Sequence, residues 1–201
     1  MNKIITIGRE FGSGGREFGR RLAEGLGIEY YDKEIIAKIA KRADLAEDYV
    51  QEVVENRPMP LFPMTIGATF AAVGVYYPMM MEENVYAAQT EVLQELAEKS
   101  DCGIVGRCAD YILKSYNPYR FFVYADMPSR IERCMKRASA DEKISEKDMK
   151  KKIKSIDENR AKYYEYYTSQ EWGARQNYDI FINTSGRDIA KLAEDFVHML
   201  K

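Results

Sequence analysis

Residues 4–17 carry the sequence Ile4-Ile5-Thr6-Ile7-Gly8-Arg9-Glu10-Phe11-Gly12-Ser13-Gly14-Gly15-Arg16-Glu17. An apolar, β-branched run leads directly into a cluster of glycines, and apolar residues then recur at helical spacing in Phe18, Leu22 and Leu26. The pattern predicts a strand, a glycine-rich loop and a helix. Glycines let main-chain N–H groups turn toward an anion, and a helix N-terminus adds partial positive charge at the same place. We therefore predict a phosphate-binding loop formed by Gly12, Ser13, Gly14, Gly15, Arg16 and Glu17.

The composition is that of an ordinary globular protein. The chain has 201 residues, of which 46% are hydrophobic and 31% charged, so we expect a single domain with a well-formed core. A net charge of −2 argues against a general nucleic-acid-binding protein, which would be basic. Three widely spaced cysteines and an N-terminus without an apolar leader predict a reduced, cytoplasmic protein.

One apolar segment, residues 58–81, contains no charged side chain. Four prolines interrupt it, and the longest uninterrupted part, residues 64–77, has fourteen residues. A membrane-spanning helix needs about twenty apolar residues, so we expect no membrane association. A buried helix, the wall of a nucleoside pocket and the interface of a homodimer remain as alternatives for this segment.

Strand-like and helix-like segments alternate along the chain, which predicts an α/β fold of three layers, a parallel sheet flanked by helices. In such folds the functional residues lie at the carboxyl ends of the strands, where Gly8, Asp32 and Arg107 fall. Asp44 is expected to cap a helix that runs to about residue 56. The predicted strands are residues 3–8, 28–31, 102–106, 120–124 and 179–182. The predicted helices are residues 16–26, 33–42, 44–56, 82–99, 128–138, 141–167 and 187–200.

Four motifs occur in the order found in the cytidylate kinases, and their matches extend from about residue 3 to residue 198. They are Gly12-Ser13-Gly14 with the helix that follows it, Tyr30-Tyr31-Asp32, Gly106-Arg107, and the segment from Tyr178 to Ser185. The chain therefore resembles the cytidylate kinase-like proteins of the P-loop nucleoside monophosphate kinase group. The resemblance implies a single domain of the P-loop NTPase type over residues 1–201. It also implies an acceptor-binding insert at about residues 44–83 and a helical lid at about residues 133–165.

The loop departs from the family pattern at the positions that matter most. In an ungapped alignment the family's loop lysine falls on Gly15 and its Mg²⁺-binding serine falls on Arg16. A one-residue bulge would instead give Arg16 the role of the lysine and Glu17 that of the hydroxyl. A further departure is Cys108, which stands where the family has the acid of a Gly-Arg-Asp motif.

By resemblance, the chain transfers the γ-phosphoryl group of ATP, with Mg²⁺, to a small acceptor, a nucleoside monophosphate. Arg107 would bind the acceptor, and Asp32 would contact either the acceptor or the metal, although it could also cap the next helix. Glu17 and Asp32 are the candidate Mg²⁺ ligands. The candidate catalytic residues, which would neutralise the transferring phosphoryl group, are Arg16, Arg133, Arg137 and Arg160. The alternative is a non-catalytic nucleotide-binding or regulatory protein that kept the fold but lost the loop lysine.

Overall fold

Five parallel strands form the central sheet of the computed structural model, in the order β2-β3-β1-β4-β5. The structure describes residues 2–55, 71–138 and 144–201. The strands are β1 (Ile4–Arg9), β2 (Glu29–Tyr31), β3 (Cys102–Val105), β4 (Tyr119–Tyr124) and β5 (Ile180–Asn183). Eight α-helices are seen in the described ranges, and they cover the sheet. They are α1 (Gly15–Leu26), α2 (Glu34–Ala43), α3 (Glu47–Glu55), α4 (Ala71–Lys99), α5 (Ala109–Ile112), α6 (Met127–Arg137), α7 (Glu146–Thr168) and α8 (Ile189–Leu200). The predicted α/β architecture is confirmed.

The first strand is the centre of the sheet, because β1 pairs with β3 on one side and β4 on the other. Its side chains alternate between two cores. Ile4 packs in the cluster that includes helices α2 and α4, whereas Ile5 and Ile7 pack in the cluster beneath α1 and α8. A strand buried on both faces is apolar throughout, which explains the unbroken hydrophobic run at the start of the sequence. The chain order reverses on either side of β1, so a crevice opens beyond its carboxyl end.

Helix α1 packs unusually close to the sheet at Gly19. A Cβ atom at this position would lie 2.5 Å from Cδ1 of Ile7. Gly27, with φ 69°, ends the helix in the left-handed conformation, as predicted, and its N–H donates to the carbonyl groups of Ala23 and Glu24. The close approach fixes the start of α1, and with it the glycine loop, against β1.

The predicted boundaries of α1, α2, α6 and α8 agree closely with the structure, whereas α5 was not predicted and α7 begins at Glu146, after the predicted start at residue 141. The prediction also differs in the region after α2. Asp44 does not cap α3. It ends α2 in the left-handed conformation, with φ 55°, and its N–H donates to the carbonyl of Ala40. Helix α4 begins at Ala71 and includes Pro78, well before the predicted start at residue 82.

Three sequence predictions concern residues that the structure covers only in part. Residues 58–70 of the apolar segment 58–81, for which a homodimer interface was one alternative, lie outside the described residues. The same gap interrupts the expected insert at 44–83, whose described parts belong to α3 and α4. The expected lid at 133–165 comprises the end of α6 and most of α7, and residues 139–143 lie outside the description. No helix in the described ranges has the length and apolar character needed to cross a membrane.

The contact of α1 with β1 predicts that Gly19→Ala destabilises the protein. The added methyl must displace Ile7 in the core, which costs about 1–3 kcal/mol and outweighs the better helix propensity of alanine. Arg20→Ala, on the exposed face of the same helix, should change the free energy of unfolding by less than about 0.5 kcal/mol. Urea unfolding of both variants tests this prediction, and equal stability of the two would contradict it.

Candidate functional site

The glycine loop turns sharply between β1 and α1. Gly12 and Gly14 both have positive φ, at 78° and 83°. The Ser13 side chain is fully buried, and its hydroxyl donates to the carbonyl of Glu10 at 2.8 Å. The Ser13 carbonyl accepts from Thr184 Oγ1 at 2.6 Å and from Arg133 at 3.3 Å. The hydrogen bonds of Ser13 therefore stabilise the conformation of the loop, and its hydroxyl is directed into the loop.

Four main-chain amides of this turn are available to a ligand. The N–H groups of Gly12, Gly14, Arg16 and Glu17 have no hydrogen-bond acceptor among the described residues. Two neighbouring amides make long internal bonds, from Ser13 to the Glu10 carbonyl and from Gly15 to the Ser13 hydroxyl, both at 3.3 Å. Open amides at the start of a helix are the groups that bind a phosphate oxygen.

A buried ionic network fixes the loop to two helices. Arg130 of α6 is only 5% exposed, and its Nε donates to the carbonyl of Phe11 at 2.7 Å. The same guanidinium forms ion pairs with Asp157 of α7 and, at 3.2 Å, with Glu10. Asp157 also accepts the N–H of Phe11 at 2.7 Å. Burial raises the pKa of both carboxyl groups above their usual values, although Arg130 acts in the opposite direction.

In front of the loop lies a cleft of about 490 Å³, here called the donor cleft, between the loop, α6 and α7. Of the predicted site residues it brings together Gly12, Gly14, Gly15, Arg16, Arg133, Arg137 and Arg160. Arg133 reaches back to the loop and to the carbonyl of Thr184, so it joins α6 to the segment after β5. Arg137 is 59% exposed at the rim of the cleft.

Arg16 does not extend over the loop. Its guanidinium forms an ion pair with Asp32, at the end of β2, and its main-chain carbonyl accepts from the hydroxyl of Tyr30 at 3.1 Å. Asp32 is 5% exposed and does not cap α2, whose N-cap is Lys33. The second carboxylate oxygen of Asp32, Oδ1, is buried and has no hydrogen-bond partner. A buried carboxylate oxygen without a donor is a candidate ligand for a cation.

Glu17 is held away from the donor cleft by two arginines. Its carboxylate binds Arg21 of the same helix at 3.1 Å and Arg137 at 2.5 Å. Within the described residues, no group of three or more metal-ligating side chains is found. Of the two predicted Mg²⁺ ligands, Asp32 has a free buried oxygen that fits the ion, whereas the carboxylate of Glu17 is already neutralised.

A second, smaller pocket of about 60 Å³, here called the acceptor pocket, lies beyond the ends of β1 and β3. Gly106, Arg107 and Cys108 line it, and all three have positive φ, at 71°, 58° and 51°. Consecutive left-handed residues other than glycine are costly and occur mainly at functional sites. Gln89, fully buried in α4, supports this turn by donating to the carbonyl of Arg107 at 3.1 Å.

Asp110, which was not among the predicted site residues, also lines the acceptor pocket. It is 7% exposed and accepts a hydrogen bond of 2.6 Å from the hydroxyl of Tyr164. Burial raises the pKa of Asp110 to about 6, and the hydrogen bond from Tyr164 acts in the opposite direction. The pocket therefore contains a carboxyl group that can change its charge near neutral pH. The pair is separated by 54 positions in sequence, so no local pattern could reveal it.

Arg9 and Arg160 line both cavities and thus mark the place where they meet. Arg160 lies 5.5 Å from the centre of the Phe11 ring, and its guanidinium approaches Asp157 at 3.6 Å and the carbonyl of Arg9 at 3.3 Å. Arg160 was among the predicted catalytic residues. Arg9 was missed, although its position directly after the apolar strand and before the glycines was a usable signal.

Comparison with known proteins agrees with this geometry. The sequence model of the cytidylate kinase-like family matches residues 4–186. An uncharacterised protein from Eubacterium ventriosum is 26% identical, covers 99% of this chain and 98% of its own, and superposes with a TM-score of 0.68. No curated protein matches the sequence.

Two shikimate kinases share the fold. The enzyme from Acinetobacter baumannii, solved in complex with shikimate, is 17% identical, with coverage of 100% of this chain and 93% of its own and a TM-score of 0.54. The enzyme from Bacteroides thetaiotaomicron is 16% identical, with coverage of 98% of both chains and a TM-score of 0.56. The fold is that of the P-loop NTPases, as the sequence resemblance implied.

The raised pKa of Asp110 makes stability depend on pH. Its pKa is about 6 in the folded protein, against an ordinary value of 3.8, so its contribution to stability falls as the pH rises from about 4 to above 6. Asp110→Asn keeps an acceptor for Tyr164 but cannot ionise. Relative to this variant, the wild type should lose about 2–3 kcal/mol of unfolding free energy over that range. Urea unfolding of both proteins across this pH range tests the prediction. The same change of unfolding free energy with pH in the wild type and in Asp110→Asn would contradict it.

Proposed function

The chain belongs to the cytidylate kinase-like family, and we propose that it is an ATP-dependent phosphotransferase whose acceptor is a nucleoside monophosphate. The observation that carries the proposal is the junction of two cavities at the carboxyl end of β1. The donor cleft has open loop amides, the acceptor pocket contains Arg107, and Arg9 and Arg160 lie where the two meet.

Phosphoryl transfer needs alignment and neutralisation of charge, and little covalent participation by the protein. The open amides of Gly12, Gly14 and Arg16 bind oxygens of the donor phosphates. Arg137 binds the same phosphates from the rim of the cleft. Arg160 stabilises the negative charge of the group in transfer, because it borders both cavities.

The acceptor side supports a substrate that carries an anionic group. Arg107 is 9% exposed and lies in the turn after β3, so its guanidinium can bind an acceptor phosphate in a site from which water is largely excluded. The acceptor pocket accommodates the group that receives the phosphoryl, and the rest of a nucleotide would extend from it toward Val54 of α3, which also lines the pocket.

Asp32 is the residue that would hold Mg²⁺. Its buried, unpartnered Oδ1 suits a hard cation that is bound by one or two carboxylates together with substrate phosphates. The bound ion would supply neutralisation of the phosphate charge. In this arrangement the ion pair with Arg16 orients the Asp32 carboxylate.

A non-catalytic nucleotide-binding protein is the second candidate function, and one observation favours it. The position of the loop lysine is Gly15, and the carboxylate of the neighbouring Glu17 is occupied by Arg21 and Arg137. Such a protein would bind ATP in the donor cleft without transferring its phosphoryl group.

Two measurements separate these functions. Isothermal titration with ATP, with and without Mg²⁺, reports binding, and formation of ADP in the presence of each nucleoside monophosphate reports transfer. We expect binding and acceptor-dependent turnover, with shikimate included as a non-nucleotide acceptor. Binding without turnover would favour the second candidate, and absence of binding would exclude both.

Arg107→Met should raise the KM for the acceptor by about 10- to 100-fold, because it removes charged hydrogen bonds to the acceptor while leaving an apolar side chain of similar length. The affinity for ATP should stay near the wild-type value. Steady-state kinetics with the acceptor varied at saturating ATP tests this prediction. An equal loss of affinity for both substrates would show that Arg107 serves the fold of the site.

Asp32→Asn should lower kcat by at least about tenfold and raise the Mg²⁺ concentration needed for half-maximal activity, because a neutral amide is a weaker ligand for the ion. Glu29→Gln, at the exposed start of the same strand, is the matched control and should leave both quantities unchanged. A normal Mg²⁺ dependence of Asp32→Asn would remove Asp32 from the metal site.

A further inference from the structure

We propose that Arg9, the last residue of β1, supplies the positive charge that a loop lysine supplies in other phosphate-binding loops. The inference rests on the proposed function and names the residue through which the donor phosphates are neutralised. It differs from the sequence prediction, in which Arg16 takes this role.

The first observation is that two glycines make room for the Arg9 side chain. A Cβ atom on Gly15 would lie 2.6 Å from Cβ of Arg9, and one on Gly106 would lie 1.7 Å from the Arg9 guanidinium. Gly15 lies in helix α1 and has no positive φ, so its backbone conformation does not require glycine. At the position that would carry the lysine, the first two carbons of the Arg9 side chain and Cβ of Val123 take the space that a side chain would enter.

The second observation is that the charge of Arg9 is not compensated. Its guanidinium makes no hydrogen bond or ion pair with any residue in the described ranges, although it lies inside the site. Burial, together with the charges of Arg160, Arg107 and Arg16, lowers the pKa of Arg9 well below its usual value, and Asp32 opposes this shift. Asp32 pairs with Arg16 and Asp157 lies 3.6 Å from Arg160, so these two carboxylates face four guanidinium groups and the net charge at the junction stays positive. A partly buried cation of this kind is retained at a cost in stability, and a polyanion in the cleft offsets the cost.

The third observation is the direction of the side chain. Arg9 starts beside Gly15 at the head of α1, where a loop lysine would start, and ends against Gly106 beyond β3. It lines both cavities, as Arg160 does. A phosphate chain held by the loop amides with its terminal group at the junction of the cavities would meet the Arg9 guanidinium. Arg16, in contrast, is 45% exposed and is engaged with Asp32.

The test compares four single variants with the wild type. Arg9→Met and Arg16→Met each remove one guanidinium while keeping the apolar stem, Arg9→Lys keeps a cation, and Arg20→Met is a control at an exposed arginine of α1. Isothermal titration measures the affinity for Mg-ATP and for inorganic tripolyphosphate. Thermal unfolding without ligand measures stability.

We expect Arg9→Met to bind tripolyphosphate and Mg-ATP at least about tenfold more weakly than the wild type, since a charged hydrogen bond to phosphate is lost. The affinity of Arg9→Lys for both ligands should lie between that of Arg9→Met and that of the wild type. The affinity of Arg20→Met should match the wild type. Without ligand, Arg9→Met should melt at a higher temperature than the wild type, because a partly buried charge that repels the neighbouring guanidinium groups has been removed. A purely structural role of Arg9 would produce the opposite change.

The inference would be overturned if Arg9→Met bound tripolyphosphate and Mg-ATP as tightly as the wild type and only Arg16→Met bound them more weakly. Arg16 would then have the role of the lysine. Absence of tripolyphosphate binding by the wild type would also overturn it. If the wild type binds tripolyphosphate through Arg9 but transfers no phosphoryl group to any acceptor, the inference stands and the proposed enzymatic function fails.

Discussion

The Arg130 guanidinium is the contact on which the arrangement of the site depends. It joins α6, α7 and the glycine loop in one buried network with Asp157, Glu10 and the carbonyl of Phe11. Withdrawing three charged groups from water is expensive, although only Arg130 is almost fully buried, and the raised pKa of both carboxyl groups reflects that cost. The network is retained because Arg130 and Asp157 also fix the carbonyl and the N–H of Phe11 in the loop, and Glu10 binds the N–H of Ala125 after β4. The open amides thereby keep their direction without a bound ligand, which is the preorganisation that phosphoryl transfer needs.

The turn after β3, which lines the acceptor pocket, also contains features that lower the stability of the protein. The turn after β3 holds Arg107 and Cys108 in the left-handed conformation, which L-residues adopt only when the surrounding structure imposes it. Gln89, a fully buried polar residue, is part of that surrounding structure, because it binds the Arg107 carbonyl and accepts from Tyr163. Asp110 adds a desolvated carboxyl group a few residues later. Strain, buried polarity and unbalanced charge are concentrated at one edge of the sheet, and the apolar cores on either side of β1 maintain them.

The local parts of this structure could be predicted from the sequence, and the parts made by distant residues could not. The strand, glycine loop and helix at residues 4–26 follow from hydrophobic periodicity and glycine placement, and Gly27 ends the helix as expected. The sequence prediction placed Asp44 at the start of α3, because an acidic residue between two helices can cap either helix. In the structure its left-handed backbone ends α2 instead. The partnership of Asp110 with Tyr164 spans 54 positions, and only the folded chain brings α5 and α7 together.

The glycines of the loop show why motif matching alone gives an incomplete account of such a site. Each glycine is explained by a particular neighbour as well as by phosphate binding: at Gly12 a Cβ would meet Cys134 Sγ at 2.9 Å, and at Gly14 it would meet Ile189 Cδ1 at 2.2 Å. A Cβ on Gly15 would likewise lie too close to a neighbour, at 2.6 Å from Cβ of Arg9. A missing lysine therefore does not by itself indicate a lost activity, because the Arg9 side chain starts beside Gly15 and carries its guanidinium to the junction of the two cavities. Neutralisation of phosphate charge requires a cation at a particular position in the folded protein, and any residue whose side chain reaches that position can supply it.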